Sequence, residues 1–231
     1  MAYKVADQAW ERAEAFRLVY RAYVEAGLMR PHPAEMRVMP HHLLPTTATF
    51  VALRGSRVVA TVSMVGDGRL GLPLECAYPQ EVELLRGPGT WLGEVSALAS
   101  AAEPVSSIDL VIGLMRLMAQ FSRRHGVDHL LVAVHPRHGR FYRRCLGFKA
   151  LGGERAYPAV DNRPAVALHL DLSRLEEDPP ASYGLFFGKA IDDEQLRYCP
   201  ISAAERRQLV QFLVSETDTA TAESGAMLAC A

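Results

Sequence analysis

Residues 129–148, HLLVAVHPRHGRFYRRCLGF, change character abruptly at Pro136. The aliphatic run before the proline has the length and composition of a β-strand that is buried on both faces. The arginine-rich segment after it predicts a helix of roughly two to three turns, which closes at the sequence LGF. We expect the strand to lie in the middle of a sheet, and the helix to turn Tyr142 inward and its guanidinium groups outward.

The segments around this stretch predict a mixture of helices and strands. Apolar residues recur at helical spacing over residues 10–28, and residues 106–126 carry the longest amphipathic pattern, with Ser106 or Ser107 as the cap. Strand-like runs occupy residues 47–66, as a hairpin, and residues 89–100, 149–158 and 164–172. This order predicts an α+β fold, in which helices flank a central mixed sheet.

Length and composition indicate one main domain inside the cell. The 231 residues are 49% hydrophobic with a formal net charge of −1, which argues against disorder and against binding nucleic acid through overall charge. We expect residues 1–172 to form the domain and residues 173–231 a partly helical C-terminal extension with a flexible tail. The scattered cysteines indicate reduced thiols, and the charged N-terminus shows neither a signal peptide nor a membrane span, so we expect a cytoplasmic protein.

The arginine-rich helix ending in LGF, in this order of elements, resembles the GNAT acyltransferase superfamily. The resemblance is narrower in the blocks 16–27, 72–100 and 135–172, which are similar to N-acyl amino acid synthases and, more distantly, to acyl-homoserine lactone synthases. It implies a GNAT-like acyltransferase fold. It also implies an enzyme that joins a fatty acyl group, carried as a thioester, to the amine of an amino acid or a similar small molecule.

This chain departs from the family pattern at two places. Ala97 follows Ser96 where the family block carries an arginine, so an arginine contact with donor or acceptor is not available there. The segment ALASAAEPVSS (97–107) also lacks the glycines of the usual GNAT pyrophosphate loop, which let backbone N–H groups approach phosphate. The second departure favours acyl carrier protein over coenzyme A as the donor, and we expect an acyl thioester co-substrate with no bound cofactor.

Two residues are the catalytic candidates. Glu94 stands alone among apolar and small residues of a strand, where a carboxylate requires a raised pKa or a partner, and we expect it to assist deprotonation of the amine. Tyr142 matches the tyrosine that the resemblance implies as the general acid for the departing thiolate. The alternatives are a solvated or ion-paired Glu94 and a Tyr142 that only packs in the core.

Several histidines and charged residues have weaker claims. His135, at the end of a strand, is an alternative acid or base, although such histidines are commonly structural. His41 and His42 could suggest a metal, but no carboxylate or cysteine lies at ligand spacing, and we expect none. Arg21 and Glu25 fall in the first block of the resemblance and are candidates for acceptor binding, with surface pairing as the alternative.

Cationic residues are concentrated between Arg123 and Lys149. We expect this basic patch to dock the acidic acyl carrier protein, with Ser96 and the arginines of the short helix as donor-binding residues: Arg137, Arg140, Arg143 and Arg144. The alternative is a solvated basic face or pairing with acids elsewhere in the fold. No motif of nucleic-acid binding accompanies the charges. Rival functions are a coenzyme A-dependent acetyltransferase and a binding module that has lost catalysis.

Overall fold

The computed structural model describes residues 1–101, 107–177 and 179–213. Its strands form one mixed sheet in the order β1-β2-β3-β4-β5-β7-β6. The strands are β1 (Ala2–Val5), β2 (Thr47–Arg54), β3 (Arg57–Gly66), β4 (Leu92–Ser100), β5 (His129–Val134), β6 (Lys149–Tyr157) and β7 (Arg163–Asp171). Neighbouring strands are antiparallel except β4 and β5, which are parallel. The predicted mixed sheet is confirmed, and β1 is an edge strand that the sequence analysis did not predict.

Helices flank this sheet as predicted. They are α1 (Ala9–Glu25), α2 (Pro79–Leu85), α3 (Ser107–Arg124), α4 (Pro136–Cys145), α5 (Tyr183–Phe187) and α6 (Ala203–Leu209). Cations in the last turn of α3 and a left-handed Gly126 end that helix as expected. Of the two expected caps, Ser106 lies outside the described residues, and Ser107 is the first residue of the helix. None of the described helices combines the length and the apolar character needed to cross a bilayer.

The two faces of the sheet pack against different helices. Along β5, Leu130 and Val132 belong to the apolar cluster that includes α3, whereas Leu131 belongs to the cluster that includes the 72–82 segment. Successive strand residues point to opposite faces, so these clusters cover opposite sides of the sheet. Helix α1 packs on the second side, through a cluster that contains Leu18, Val51 and Ala97.

The segment after β7 packs on the domain. Phe186 of α5 and Leu196 are buried in the same cluster as α3, and Ser202 caps α6 as predicted, accepting a hydrogen bond from the Glu205 N–H at 3.1 Å. The expected flexible tail falls in residues 214–231, outside the described residues. The division into a domain and an extension at residue 172 stays a prediction.

Gly113 provides a test of how β1 packs on α3. Alanine normally stabilises the middle of a helix by about 1 kcal/mol relative to glycine. A Cβ added at Gly113 would overlap the ring of Tyr3, which lies across the helix. We therefore predict that Gly113→Ala lowers the Tm, by about 2–4 °C, in a thermal melt followed by circular dichroism.

The matched control is the same substitution in a Tyr3→Ala background. With the ring removed, the added methyl group has room and should raise the Tm. An increase in both backgrounds would contradict the packing of Tyr3 on Gly113.

Candidate active site

The sheet opens between β4 and β5. Their parallel pairing covers only Leu92–His129, Gly93–Leu130 and Glu94–Leu131. Beyond these pairs β4 continues to Ser100 alongside β3, while β5 continues to Val134 alongside β7. The two strands therefore separate just after Glu94, and the space between them is not filled by backbone hydrogen bonds.

A β-bulge lies at this opening. On β3 the partners advance from Thr61 to Ser63, while on β4 they advance from Ala99 to Ser96, so β4 contains an extra residue. Ala97 takes up the extra length with a left-handed φ of 53°. Bulges of this kind bend a strand and are found next to active sites. Ala97, the residue that replaces the family arginine, therefore occupies the bend itself.

A cavity of about 640 Å³ fills the opening and reaches both sides of the sheet. On one side it is lined by Glu94 and Tyr157, and on the other by Val132 and Tyr142. Tyr157 belongs to the cluster of the α2 side, and Val132 and Tyr142 belong to the cluster of the α3 side. The cavity is thus a passage through the sheet with a predicted catalytic residue on each side.

Glu94 is 2% exposed and is held by two hydrogen bonds. The Leu74 N–H donates to its Oε2 at 2.7 Å, and the Tyr157 hydroxyl donates to its Oε1 at 3.4 Å. Burial raises the pKa of Glu94 to about 8, against the lowering effect of these two bonds. No cation forms an ion pair with this carboxyl group among the described residues, so it is neither the solvated nor the ion-paired residue of the alternative interpretation.

Leu74 reaches Glu94 because residues 72–85 fold back over the sheet. A 3-10 turn (Pro73–Cys76) precedes α2, and the fully buried Tyr78 anchors the segment by donating to the Ala165 carbonyl oxygen at 2.6 Å. This return places a backbone N–H directly at the carboxylate. The block 72–100 carries part of the family resemblance, but its first residues had no predicted role.

Tyr142 faces the cavity from α4 and is 5% exposed. Its ring packs edge-on against Phe148, with the ring centroids 5.4 Å apart. Burial raises the pKa of Tyr142 well above its ordinary value, so the phenol stays protonated. The expected orientation of α4 is confirmed, because Arg140, Arg143 and Arg144 are exposed on its other face.

Among the predicted donor-binding residues, Ser96 and Arg137 line the cavity, whereas Arg140, Arg143 and Arg144 lie outside it. His135 also lines the cavity and caps α4, where its Nδ1 accepts a hydrogen bond from the Arg137 N–H at 3.2 Å. The His135 ring therefore stabilises the first turn of α4.

The basic patch divides into structural and available arginines. Arg123 pairs with Glu176, and Arg124 pairs with Asp193 at 3.1 Å, so both attach α3 to the segment after β7. The α4 arginines have no ion-pair partner among the described residues. Pairing within the fold thus accounts for part of the charge run, and α4 carries the part that remains exposed.

The predicted acceptor residues on α1 are not brought to the cavity. Arg21 and Glu25 are exposed and do not line it, whereas Tyr23 between them does. Residues four apart share one face of a helix, and the residue midway lies on the opposite face. The predicted helix reaches the site, but through a residue that the sequence analysis counted only among apolar positions.

Two further cavity residues were missed. Tyr157 stands at the end of β6 before Pro158, the same strand-end position that singled out His135, and this parallel is the signal that could have found it. Arg37 lies in the irregular connector after α1, where no periodicity indicates which way a side chain points. Its placement depends on tertiary packing alone.

The histidines of the connector have a structural arrangement. His42 is buried, stacks on Phe16 with 4.9 Å between ring centroids, and accepts the Met39 N–H at Nδ1. Burial lowers the pKa of His42 to about 3, which keeps the ring neutral. The described residues contain no group of three or more His, Cys, Asp or Glu side chains placed to hold a metal ion.

Comparison with known proteins places this site in context. The family described as N-acyl amino acid synthase FeeM matches residues 14–171. No curated protein is a significant match to the chain. The solved structure of FeeM, an N-acyl amino acid synthase from uncultured soil microbes, is 27% identical, covers 77% of this chain and 98% of its own, and superposes with a TM-score of 0.66.

More distant structures share the fold. The coenzyme A-dependent acyl-homoserine lactone synthase BjaI, solved with SAM and isopentyl-CoA, is 16% identical over 91% of this chain and 100% of its own, with a TM-score of 0.60. An N-acetyltransferase from Staphylococcus aureus Mu50 is 16% identical over 74% of this chain and 97% of its own, with a TM-score of 0.50. The predicted GNAT-like fold is thereby confirmed. Because the family match spans most of the folded chain, this protein belongs to the FeeM N-acyl amino acid synthase family and is an acyltransferase.

Proposed function

We propose that the protein transfers a fatty acyl group from the phosphopantetheine thioester of acyl carrier protein to the amine of an amino acid or a similar small molecule. The observation that carries this proposal is the passage between β4 and β5, which has a buried carboxyl group on one side and a buried phenol on the other. Such a passage lets donor and acceptor enter from opposite sides of the sheet and meet inside it. We place this reaction in the cytoplasm, where cysteines stay reduced, because the cysteines of the described residues are free thiols.

The reaction forms a C–N bond and breaks a C–S bond. The neutral amine attacks the thioester carbonyl carbon, the amine nitrogen loses a proton, and the departing thiolate gains one. The products are an amide and the free phosphopantetheine thiol, so no oxidant, reductant or further co-substrate is needed. The protein has to supply a proton acceptor near the amine and a proton donor near the sulfur.

Glu94 is the proposed proton acceptor. Its raised pKa, about 8, makes the Glu94 carboxylate a stronger base than that of an ordinary glutamate, so it can accept a proton from the acceptor amine at a smaller cost. The Leu74 and Tyr157 hydrogen bonds fix the carboxyl group, so that it does not have to be reoriented during the reaction.

Tyr142 is the proposed proton donor to sulfur. Its packing against Phe148 fixes the ring, and its raised pKa keeps the hydroxyl protonated until the C–S bond breaks. We further propose that backbone N–H groups of the bulge at Ala97 polarise the thioester carbonyl, since the bulge interrupts the β3 ladder beside the cavity. A left-handed alanine at this bend keeps bulk away from the reacting carbonyl group.

Coenzyme A is the second candidate donor. The structure of BjaI with isopentyl-CoA shows that this fold can hold an acyl-CoA. The loop after β4 lacks glycine, which argues against coenzyme A as the donor. Residues 102–106 of this loop lie outside the described part of the chain. The choice between the two donors therefore rests on the exposed α4 arginines, which suit an acidic protein.

The function is tested by incubating the protein with a mixture of amino acids and either acyl carrier protein or coenzyme A carrying the same fatty acyl chain. We expect an N-acyl amino acid by mass spectrometry, formed faster from the carrier protein. The α4 charge-reversal variant Arg140→Glu/Arg143→Glu/Arg144→Glu should lower kcat/KM for the carrier about tenfold or more at low salt, and added salt should narrow the gap.

The matched control reverses the exposed arginines Arg17, Arg69 and Arg207, which makes the same change in net charge away from α4. It should leave kcat/KM unchanged. Equal loss in both variants would remove α4 as the docking surface, and absence of an amide product with either donor would refute the proposed function.

Glu94→Gln should lower kcat/KM by about 10²–10⁴-fold because it removes the proton acceptor and keeps the shape. It should also change stability. The native pKa of Glu94 is raised from 4.5 to about 8, so the native state holds a proton that the unfolded state releases, and stability falls as pH rises through that interval. The Glu94→Gln side chain does not titrate, so the variant should not lose this stability as the pH rises.

Denaturant unfolding at a series of pH values between about 5 and 8.5 measures this effect, because that range covers most of the interval between the two pKa values. We expect the variant to be at least as stable as the wild type at the upper end. A variant that is inactive and also less stable at every pH would assign Glu94 a structural role instead.

Tyr142→Phe should lower kcat by about 10²-fold with little change in Tm, because the ring still packs on Phe148 while the proton donor is lost. A leaving group that needs no proton should bypass the defect. The test compares an acyl pantetheine thioester with the corresponding thiophenol ester. An equal loss of rate with both esters would show that Tyr142 does not protonate the leaving group.

A further inference from the structure

We infer that the guanidinium group of Arg37 binds the carboxylate of the amino acid acceptor and thereby selects acids over their uncharged analogues. The inference rests on the proposed function and adds the residue that selects the acceptor. Three features support it: the burial of Arg37, its position on the Glu94 side of the passage, and the charge balance of the cavity.

Arg37 is buried without an anion. The residue is 7% exposed, its Nη2 donates to the Ala159 carbonyl oxygen at 2.8 Å, and its Nη1 contacts the Met39 sulfur. The guanidinium carbon lies 4.8 Å from the centroid of the Tyr23 ring. Within the described part of the chain, no acidic side chain pairs with it. A buried charge is costly without a partner, and a guanidinium group offers a planar pair of N–H donors that matches a carboxylate.

The backbone around Arg37 directs this side chain into the cavity. Met36 and Val38 are buried in the cluster that packs on Phe16 of α1, and Arg37 between them lines the cavity. The Arg37 N–H also donates to the Phe16 carbonyl oxygen at 3.2 Å, which fixes the segment along α1. Alternation in an extended chain thus places Met36 and Val38 on one side and Arg37 on the other.

Arg37 belongs to the same side of the passage as Glu94. It contacts Tyr23 of α1 and Ala159, which closely follows Tyr157. Tyr157 in turn is hydrogen-bonded to the Glu94 carboxyl group. The arginine and the proposed proton acceptor are therefore linked through neighbouring residues, on the side opposite Tyr142.

The charge balance of the cavity favours an anionic acceptor. Among the described residues, its lining contains the guanidinium groups of Arg37, Arg137 and Arg163, and Glu94 is the single acidic residue. Arg137, one of the predicted donor-binding residues, is exposed at the start of α4, and Arg163 is also exposed. Arg37 is the buried cation, so an anion that reaches the Glu94 side of the passage meets this residue.

An α-amino acid fits these two groups together. Its carboxylate and its amine are attached to the same carbon atom, so a carboxylate held by the Arg37 guanidinium group leaves the amine close by for Glu94. A carboxamide of the same amino acid presents no charge to Arg37 and leaves that buried group unpaired. Sites built around a buried polar partner reject such analogues strongly.

The experiment compares each proteinogenic amino acid with its carboxamide as acceptor, using whichever acyl donor supports turnover. For the preferred amino acid we expect kcat/KM to exceed that of the carboxamide by about 10²-fold or more. Arg37→Gln should abolish this preference, mainly by raising KM for the amino acid, while turnover of the carboxamide persists. Arg37→Lys should retain part of the preference.

The matched control is Arg163→Gln, which removes an exposed arginine from the same cavity and should keep the acid-to-carboxamide ratio. Equal use of acid and carboxamide by the wild type, or an unchanged ratio in Arg37→Gln, would overturn the inference. If Arg37→Gln fails to fold, Arg37→Lys takes its place, and an unchanged ratio in that variant would overturn the inference. If no amine is acylated, the proposed function fails, and calorimetry of amino acid and carboxamide binding to the wild type and to the Arg37 variant still tests Arg37.

Discussion

The site depends on how far β4 and β5 remain paired. Parallel strands usually share a long ladder, but here the pairing ends at Glu94 and Leu131. Each strand is still supported on its other edge, β4 by β3 and β5 by β7, so the separation leaves the sheet intact. Without this divergence the interior would be filled by backbone hydrogen bonds. With it, the centre of the fold contains a passage whose walls are rigid strands.

The walls of this passage hold polar groups that are expensive to bury. Glu94, Tyr157, Tyr142 and Arg37 are all buried, and burial is the largest cause that raises the pKa of the three acids. These shifts leave a carboxyl group able to exchange a proton near neutral pH beside phenols that remain protonated. The stability lost by burying such groups is offset by the large apolar clusters on both faces of the sheet.

The arginines of the basic patch have two different roles, which depend on their positions in the fold. Arg123 and Arg124 pair with Glu176 and Asp193 and hold the segment after β7 against α3. The α4 arginines remain exposed on the helix whose inner face carries Tyr142. A single short helix therefore contributes a buried phenol to the cavity and a cationic surface to the outside, where the proposed carrier would dock.

The sequence by itself determined the local elements of this protein. Period-two and helical patterns are properties of neighbouring residues, so they identified most helices and strands of the mixed sheet, including the strand that contains Glu94, and the family resemblance singled out Tyr142. The tertiary structure alone decided which distant residues meet. Leu74, Tyr157 and Arg37 come from a turn, a strand end and an irregular connector, and nothing in their local patterns indicates a common cavity. The same limit explains why Arg21 and Glu25 do not line the cavity. Their helix was predicted correctly, but packing on the sheet decides which face of the helix meets the site.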